Sequence, residues 1–407
     1  MTDYLITCPP TVSGSVELPL SKSISNRVLL LEALCGHDIP TATAVSDCDD
    51  TRVMFSALTR YRNGSHASFD IEGAGTAMRF LTAFFSAQEG CDVFLTGNAR
   101  MQQRPIGLLV DALRQLGAVI TYTVTEGYPP LHIRGRQLIG DNVHIDSSVS
   151  SQYISALMMI APLTTGHDSV LRIGLDGEKV VSRPYIDMTT GLMAEYGIAV
   201  HNLGNALEVE RTAYRHTGEP YAEADWSAAS YWLGMEQIAR KSGKSWNVAV
   251  TNLRDHSLQG DKCVYDMLHR DTKAMPSELD FTGCPDMVQT VAVAYCLTGQ
   301  TFRFTGIGNL RIKETDRVAA LVAELKRLGY GLQATDDTLC WDGTRCAACP
   351  DDIPAINTYG DHRIAMAFAM TAVARGQVVI RQAEVVSKSY PTFWDDMRSC
   401  GFTIREV

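Results

Sequence analysis

Residues 19–34, PLSKSISNRVLLLEAL, set small polar residues and two cations, Lys22 and Arg27, at the mouth of a strongly apolar helical pattern. A β-rich stretch leads into it. The same order recurs at EGAGTAMRF (72–80), DSSVSSQYI (146–154), ADWSAASYW (224–232), TGCPDMVQT (282–290) and TYGDHRIAM (358–366). Centred on Lys22, Gly75, Ser150, Ser227, Asp286 and Asp361, the clusters lie 53, 75, 77, 59 and 75 residues apart. The near repetition of 53 and 75 as 59 and 75 marks an internal duplication. The chain reads as two halves of three similar repeats, with the crossover near residues 215–224.

A second series fills in the repeats. LLVDALRQLGAVITY (108–122), GLMAEYGIAV (191–200), LVAELKRLGYGL (321–332) and WDDMRSCGFTI (394–404) each carry a helical apolar period that ends in glycine and passes into a strand. Gly117, Gly197, Gly329 and Gly401 fall where a helix C-cap is expected. Each repeat is expected to run strand, helix, strand, helix, with further strand, which makes the fold class α/β in two domains. Each cluster should sit where a strand hands over to a helix. Its free backbone N–H groups and the helix dipole then form an anion-attracting end. Ser, Asp and Gly are also simply good N-caps, so one cluster alone would carry little. The interleaved cations give the series its weight.

Composition narrows the function classes. The 407 residues suit two to three domains at roughly 150 residues each. Hydrophobic residues at 45% and charged residues at 20% exclude fibrous, collagenous and disordered readings. The net charge of −10 and pI of about 5.5 argue against a nucleic-acid binder. Clustered arginines can still collect small anions. Eleven cysteines are scattered without the spacing of a disulfide framework. Cys346 and Cys349 form a CxxC with no second pair near enough to complete a zinc site, so no metal is expected. The start, MTDYLITCPP, has an acid where a signal peptide needs bases, and no apolar run approaches the roughly 18 residues of a membrane span. A cytoplasmic, reduced protein is expected.

Three further stretches bear on chemistry. In RMQQRPIG (100–107), Pro105 suits a first helical turn and pushes Arg104 out of helical geometry, which places Arg104 at a helix mouth. In GIGNLRIKETDR (306–317), Lys313 and Arg317 stand four apart with Arg311 close by, unfavourable on a bare helix. Glu314 and Asp316 could neutralise them, or a bound anion could, leaving Glu314 among cations. TYGDHR adds Asp361, His362 and Arg363, and VVSKSYP (385–391) adds Lys388. PLSKSISNR lacks the glycines of a P-loop, so a nucleotide cradle is not expected.

Taken in order, PLSKSISNR, GAGTAMR, RMQQRPIG, SSVSSQY, VSRPYIDMT, CPDMVQT, NLRIKETDR, TYGDHRIAM and VSKSYP resemble the motifs of the 5-enolpyruvylshikimate-3-phosphate synthase family, over about residues 8–395. The resemblance implies two domains, each of three βαβαββ repeats in an inside-out α/β arrangement. These would be residues 21–222, and residues 1–20 with 223–407, with the active site in the cleft between them. It implies transfer of the enolpyruvyl group of phosphoenolpyruvate to the 5-hydroxyl of shikimate 3-phosphate, with release of phosphate. No metal or organic cofactor is implied. The partners would be small anionic substrates, with no nucleic acid and no membrane, for a chain expected to act as a monomer.

The resemblance also carries roles over to positions of this sequence. Lys22, Ser23, Arg27, Ser150, Ser151, Gln152, Ser182, Tyr185, Asp286, Asn309 and Lys313 match contacts to shikimate 3-phosphate. Lys22, Gly75, Arg104, Gln152, Arg317, Arg363 and Lys388 match contacts to phosphoenolpyruvate. Asp286 matches the acceptor of the 5-hydroxyl proton, Glu314 the acid that protonates C3, and Lys22 the cation that touches both substrates. Two departures stand out, Gly73 and Gly360, where the family has Asn usually and often, respectively. Gly73 removes a side-chain donor near the phosphoenolpyruvate pocket, which also leaves open how strongly glyphosate, the family's inhibitor, would act. Two rivals share the architecture. A UDP-N-acetylglucosamine enolpyruvyl transferase would carry a reactive cysteine on a mobile loop, and this sequence has none between Cys91 and Cys263. An RNA-terminal cyclase would need nucleotide-binding features that the acidic balance disfavours.

Overall fold

The computed structural model describes residues 2–39, 44–64, 67–177, 180–216, 218–268, 276–348 and 351–407. The chain opens on strands β1 (Tyr4–Thr7) and β2 (Thr11–Glu17), then helices α1 (Lys22–Cys35) and α2 (Asp49–Arg62). There follow β3 (Ser68–Asp70), α3 (Gly75–Ser86), β4 (Asp92–Thr96), α4 (Gly107–Gln115), β5 (Val119–Tyr122) and β6 (Leu131–Arg134). Next come β7 (Asn142–Asp146), α5 (Ser151–Ile160), β8 (Val170–Asp176), α6 (Arg183–Glu195), β9 (Val200–Asn202) and β10 (Ala206–Glu210). Beyond them lie α7 (Trp226–Lys241), β11 (Ser245–Thr251), α8 (Cys263–Leu268), β12 (Glu278–Asp280), α9 (Val288–Thr298), β13 (Phe302–Thr305), α10 (Arg317–Arg327), β14 (Gln333–Ala334) and β15 (Thr338–Trp341). The chain ends with β16 (Ala355–Ile356), α11 (His362–Ala369), α12 (Thr371–Arg375), β17 (Gln377–Ile380), α13 (Phe393–Ser399) and β18 (Thr403–Glu406). It divides into a first unit, Leu20–Ala222, and a second, Met1–Pro19 with Glu223–Val407.

In the first unit, two sheets have the orders β3-β4-β6-β5 and β7-β8-β10-β9. In each, the opening strands pair in parallel across a helical crossover and the closing strands pair antiparallel, which is the βαβαββ pattern. Helices α1 and α2 stand for the third repeat, and among the described residues no strand accompanies them within this unit. In the second unit, β12-β13-β15-β14 repeats the same order. The sheet β16-β17-β1-β18 does so with a substitution: β1, from the start of the chain, takes the fourth strand's place. It pairs antiparallel with both β17 (Tyr4↔Ile380) and β18 (Tyr4↔Glu406). The remaining sheet is two-stranded, β2 parallel to β11.

The burial pattern explains why helices occupy the interior. All eight residues of α11 are buried, as are all but one of α3, α5 and α9, and a helix that is apolar all round must lie inside a core. The strands alternate instead, β4 reading exposed, buried, exposed, buried, so each sheet covers the helices with one face and meets water with the other.

The glycine stops fall as read. Gly117, Gly197, Gly329 and Gly401 all have φ between +79° and +100°. In each, the following residue's N–H reaches back across the last turn, as in Ala118 N to Leu113 O at 3.1 Å and Phe402 N to Met397 O at 3.1 Å.

Three local expectations need correction. The cluster at Ser227 is not entered from a strand, because β10 ends at Glu210 and α7 starts at Trp226. Arg104 does not sit at the mouth of α4, which begins at Gly107. It is extended before Pro105 (ψ 125°), and its guanidinium lies against Gly75 at the start of α3. Lys313 and Arg317 do not share a helix, since Lys313 is extended and Arg317 is the first residue of α10, capped by Asp316. The like-charge repulsion on one helix therefore does not arise.

Candidate functional site

All six clusters mark helix starts, and side chains tie those starts together within each unit. In the first unit, Arg27 is the tie. It is 2% exposed and sits one turn into α1. Its Nε donates to Thr189 Oγ1 (2.7 Å), Nη1 to Ser23 O (2.8 Å), and Nη2 to Ser155 Oγ (3.1 Å) and Tyr185 O (3.2 Å), linking α1, α5 and α6. The Phe80 ring of α3 lies 5.4 Å from its Cζ. Among the described residues no carboxylate pairs with it, and burial lowers its pKa to about 10. Arg27 thus braces the helix starts with its own donors.

Around that brace the polar residues are arrayed on first turns. Lys22 Nζ pairs with Asp50 Oδ2 at 3.1 Å, and both side chains are largely buried. Ser150 caps α5 by accepting from Gln152 N, and Gln152 Nε2 donates to Thr76 Oγ1 at 3.1 Å, joining the starts of α5 and α3. Arg79 fixes the same corner by donating to Gly75 O (3.1 Å) and Pro105 O (2.9 Å). Arg104, 7% exposed, packs so closely on Gly75 that a Cβ there would stand 2.7 Å from its Nη1. Ser182 opens α6 at φ +56°, a left-handed conformation costly for a residue with a Cβ.

In the second unit the tie is Arg317, 2% exposed like Arg27 but partnered by acids. Its Nε donates to Asp361 Oδ2 (2.7 Å), Nη1 to Asp286 Oδ1 (2.8 Å) and Nη2 to Glu314 Oε2 (2.9 Å). Arg363 Nη2 takes the other Asp286 oxygen at 2.9 Å and reaches Ser227 Oγ at 3.3 Å. Ser227 in turn donates to Asp261. The starts of α7, α10 and α11 and the turn before α9 are thereby gathered. Burial alone would raise the Asp286 carboxyl, but Arg363, Lys313 and Arg317 outweigh it and hold it well below the usual carboxylate range. Three carboxylates likewise outweigh burial at Arg317 and push its pKa up. Asn309 presents a buried Oδ1 with no partner among the described residues. Lys388, half-buried, ends the turn Ala383–Lys388. Such an array can hold anions on fixed guanidinium and N–H donors and can move a proton through either of two carboxylates.

The profile of the EPSP synthase family, EPSP synthase (3-phosphoshikimate 1-carboxyvinyltransferase), matches residues 6–397. The chain belongs to the EPSP synthase family. A protein of Bacteroides fragilis named 3-phosphoshikimate 1-carboxyvinyltransferase is 44% identical, over 99% of this chain and 98% of its own. One of the same name from Vibrio cholerae is 36% identical, over 94% of this chain and 96% of its own. In fold, the chain is similar to an Acinetobacter baumannii EPSP synthase structure, with a TM-score of 0.71 at 20% identity over the full length of both.

Within this EPSP synthase fold, the residues expected from sequence fall into two sets. Lys22, Ser23, Arg27, Gly75, Arg104, Ser150, Ser151, Gln152, Ser182 and Tyr185 lie in the first unit, and Asp286, Asn309, Lys313, Glu314, Arg317, Arg363 and Lys388 in the second. Sequence reasoning gave no site role to Asp361, Asp50, Thr76, Arg79 and Asp261. Asp361 stood inside a quoted motif, and its capping of α11 was legible. Asp50 had no local signal, because it meets Lys22 across 28 residues. Gly360, one departure from the family pattern, has φ +68° with open space around its Cβ position. That conformation is one Gly and Asn both accept. Of the CxxC pair, Cys346 is a free thiol donating to Lys326 O, and Cys349 lies outside the described residues.

Proposed function

We propose that this chain transfers the enolpyruvyl group of phosphoenolpyruvate to the 5-hydroxyl of shikimate 3-phosphate and releases phosphate (EC 2.5.1.19), as a cytoplasmic monomer acting on small anions. The observation that supports it most is the Arg317 cluster, where three carboxylates and two arginines meet at helix starts. The O5–C2 bond forms as the 5-hydroxyl gives up its proton towards Asp286 and the donor's C3 takes one from Glu314. The C2–O bond to phosphate then breaks, C3 returns a proton to the Glu314 carboxylate, and the C2–C3 double bond returns.

The electrostatics give the two acids different tasks. Asp286, held ionised between Arg317 and Arg363, is a weak base while both cations face it. A donor carboxylate that draws these guanidiniums away raises its basicity when the 5-hydroxyl arrives. Glu314, tied to the same Arg317, gains a proton more readily by the same displacement. In the first unit, Lys22, Ser23, Arg27, Ser150, Ser151, Gln152, Ser182 and Tyr185 hold the 3-phosphate and ring of shikimate 3-phosphate, Arg27 while also bracing their helices. Gly75, Arg104 and Gln152 serve phosphoenolpyruvate together with Lys22, Arg317, Arg363 and Lys388. Asn309 and Lys313 complete the shikimate side.

Phosphate release with shikimate 3-phosphate and phosphoenolpyruvate, against UDP-N-acetylglucosamine as the alternative acceptor, tests the function. Release with the second acceptor alone refutes it. For the roles, Glu314→Gln should lose about 10²- to 10⁴-fold in turnover and still bind shikimate 3-phosphate. Asp286→Asn should lose turnover and bind it more weakly. The reverse pattern would exchange the two assignments.

A further inference from the structure

A second polar cluster lies at the other end of α1, among residues the reaction does not use. Glu32, in the last turn of α1, is 3% exposed at its side chain. Gly36 ends the helix at φ +75°, and His37 N then returns to Glu32 O at 3.1 Å. That turn brings His37 back over the carboxylate, with Nδ1 2.8 Å from Glu32 Oε2. From the far end of the unit, His216 puts its own Nδ1 2.9 Å from Oε1. The three ligand atoms all lie within 4.8 Å of one another.

We infer that Glu32, His37 and His216 form a binding site for a divalent transition-metal ion of the zinc or cobalt class. The donor set is two imidazole nitrogens and one carboxylate, which suits such ions and leaves room for water. Both rings aim the same nitrogen, Nδ1, at the one carboxylate, each at a different oxygen. A bound ion at about 2.0–2.2 Å from each donor needs them about 3.3 Å apart, so each ring withdraws from the carboxylate by about half an ångström and the two ring nitrogens settle at that same spacing, inside the 4.8 Å the three atoms already span.

The surroundings are those of a supported site. The Tyr196 ring stacks on His216 with centroids 4.2 Å apart, which fixes the imidazole plane. The Tyr196 hydroxyl donates to Glu32 Oε1 at 2.5 Å, which orients the ligand carboxylate. His37 is 43% exposed, which gives the ion an entry path.

The test uses the full chain after chelator treatment, with cobalt(II) and zinc(II) salts as probes. The expected result is one equivalent of cobalt retained at about 10 µM free ion, with visible absorption of a low-coordinate site, and at least tenfold weaker retention in His37→Ala. Zinc should raise the melting midpoint of the wild type by about 3 °C or more and leave His37→Ala unmoved. Glu32→Gln, checked for folding without metal, should also lose the absorption. Equal uptake by wild type and His37→Ala, or none by either, overturns the site and leaves Glu32 as a hydrogen-bond acceptor for two histidines.

Discussion

Asp361→Asn separates charge from shape at the centre of the second unit. Asp361 is fully buried, caps α11 through Arg363 N at 2.9 Å, and holds Arg317 by Nε at 2.7 Å. Asn can keep the cap through its single carbonyl oxygen, but its NH2 group then stands where Oδ2 accepted from Arg317, so the substitution removes the charge and one acceptor while keeping the shape. Stripping one partner from a buried ion pair costs about 3–5 kcal/mol, because the remaining charge is left poorly compensated. Arg317 keeps Asp286 and Glu314, which places the expected loss near the lower end, about 3 kcal/mol. With a urea slope of about 3 kcal/mol/M the unfolding midpoint falls by about 1 M. Turnover falls by about 10²-fold as Arg317 shifts from its anion-binding position. The diagnostic is the double variant. If the cost is an orphaned guanidinium, adding Arg317→Met restores part of the stability that Asp361→Asn removed, although activity stays low. A midpoint unchanged in the single variant, or strictly additive losses in the double, refutes the account.

Gly75→Ala should raise KM for phosphoenolpyruvate by about tenfold, with stability changed by less than about 1 kcal/mol, because the new Cβ meets only the far end of the Arg104 side chain and no backbone. Steady-state kinetics and melting check it, and an unchanged KM would detach Arg104 from the donor site. Lys22→Met should lower turnover by about 10²-fold and cost little more than about 1–2 kcal/mol, the cost coming from Asp50 left behind. Asp50→Asn in the same background should recover that stability without recovering turnover. The Asp286 carboxyl is held below its unfolded value of about 4, so its contribution is present above that pH and is lost as pH falls. Denaturant midpoints of Asp286→Asn should therefore fall less steeply below about pH 4 than those of the wild type, and parallel curves would rule this out.

The repeat, the six helix starts and the four glycine stops were all legible in the chain, because capping, glycine conformation and apolar period act over a few residues. Asp361 beside Arg363, Asp286 in its turn and Glu314 before α10 were placed by local sequence. Their convergence on one guanidinium was not, since Arg317 joins residues 31 and 44 positions away. The reading of Arg104 failed for the same reason. Proline fixed its backbone as expected, but Gly75, far back in the chain, decided where its guanidinium lies.

What the sequence determined by itself was the six helix starts, the four glycine stops, and which residues carry charge near those starts. Tertiary structure alone decided which charges share a partner. It gave Arg27 four neutral acceptors and Arg317 three carboxylates, although both stand at helix starts in motifs rich in polar residues. It also set β1 into the last sheet. Strand pairing and ion pairing depend on distances through space, and a linear pattern constrains those only where the partners are near neighbours along the chain.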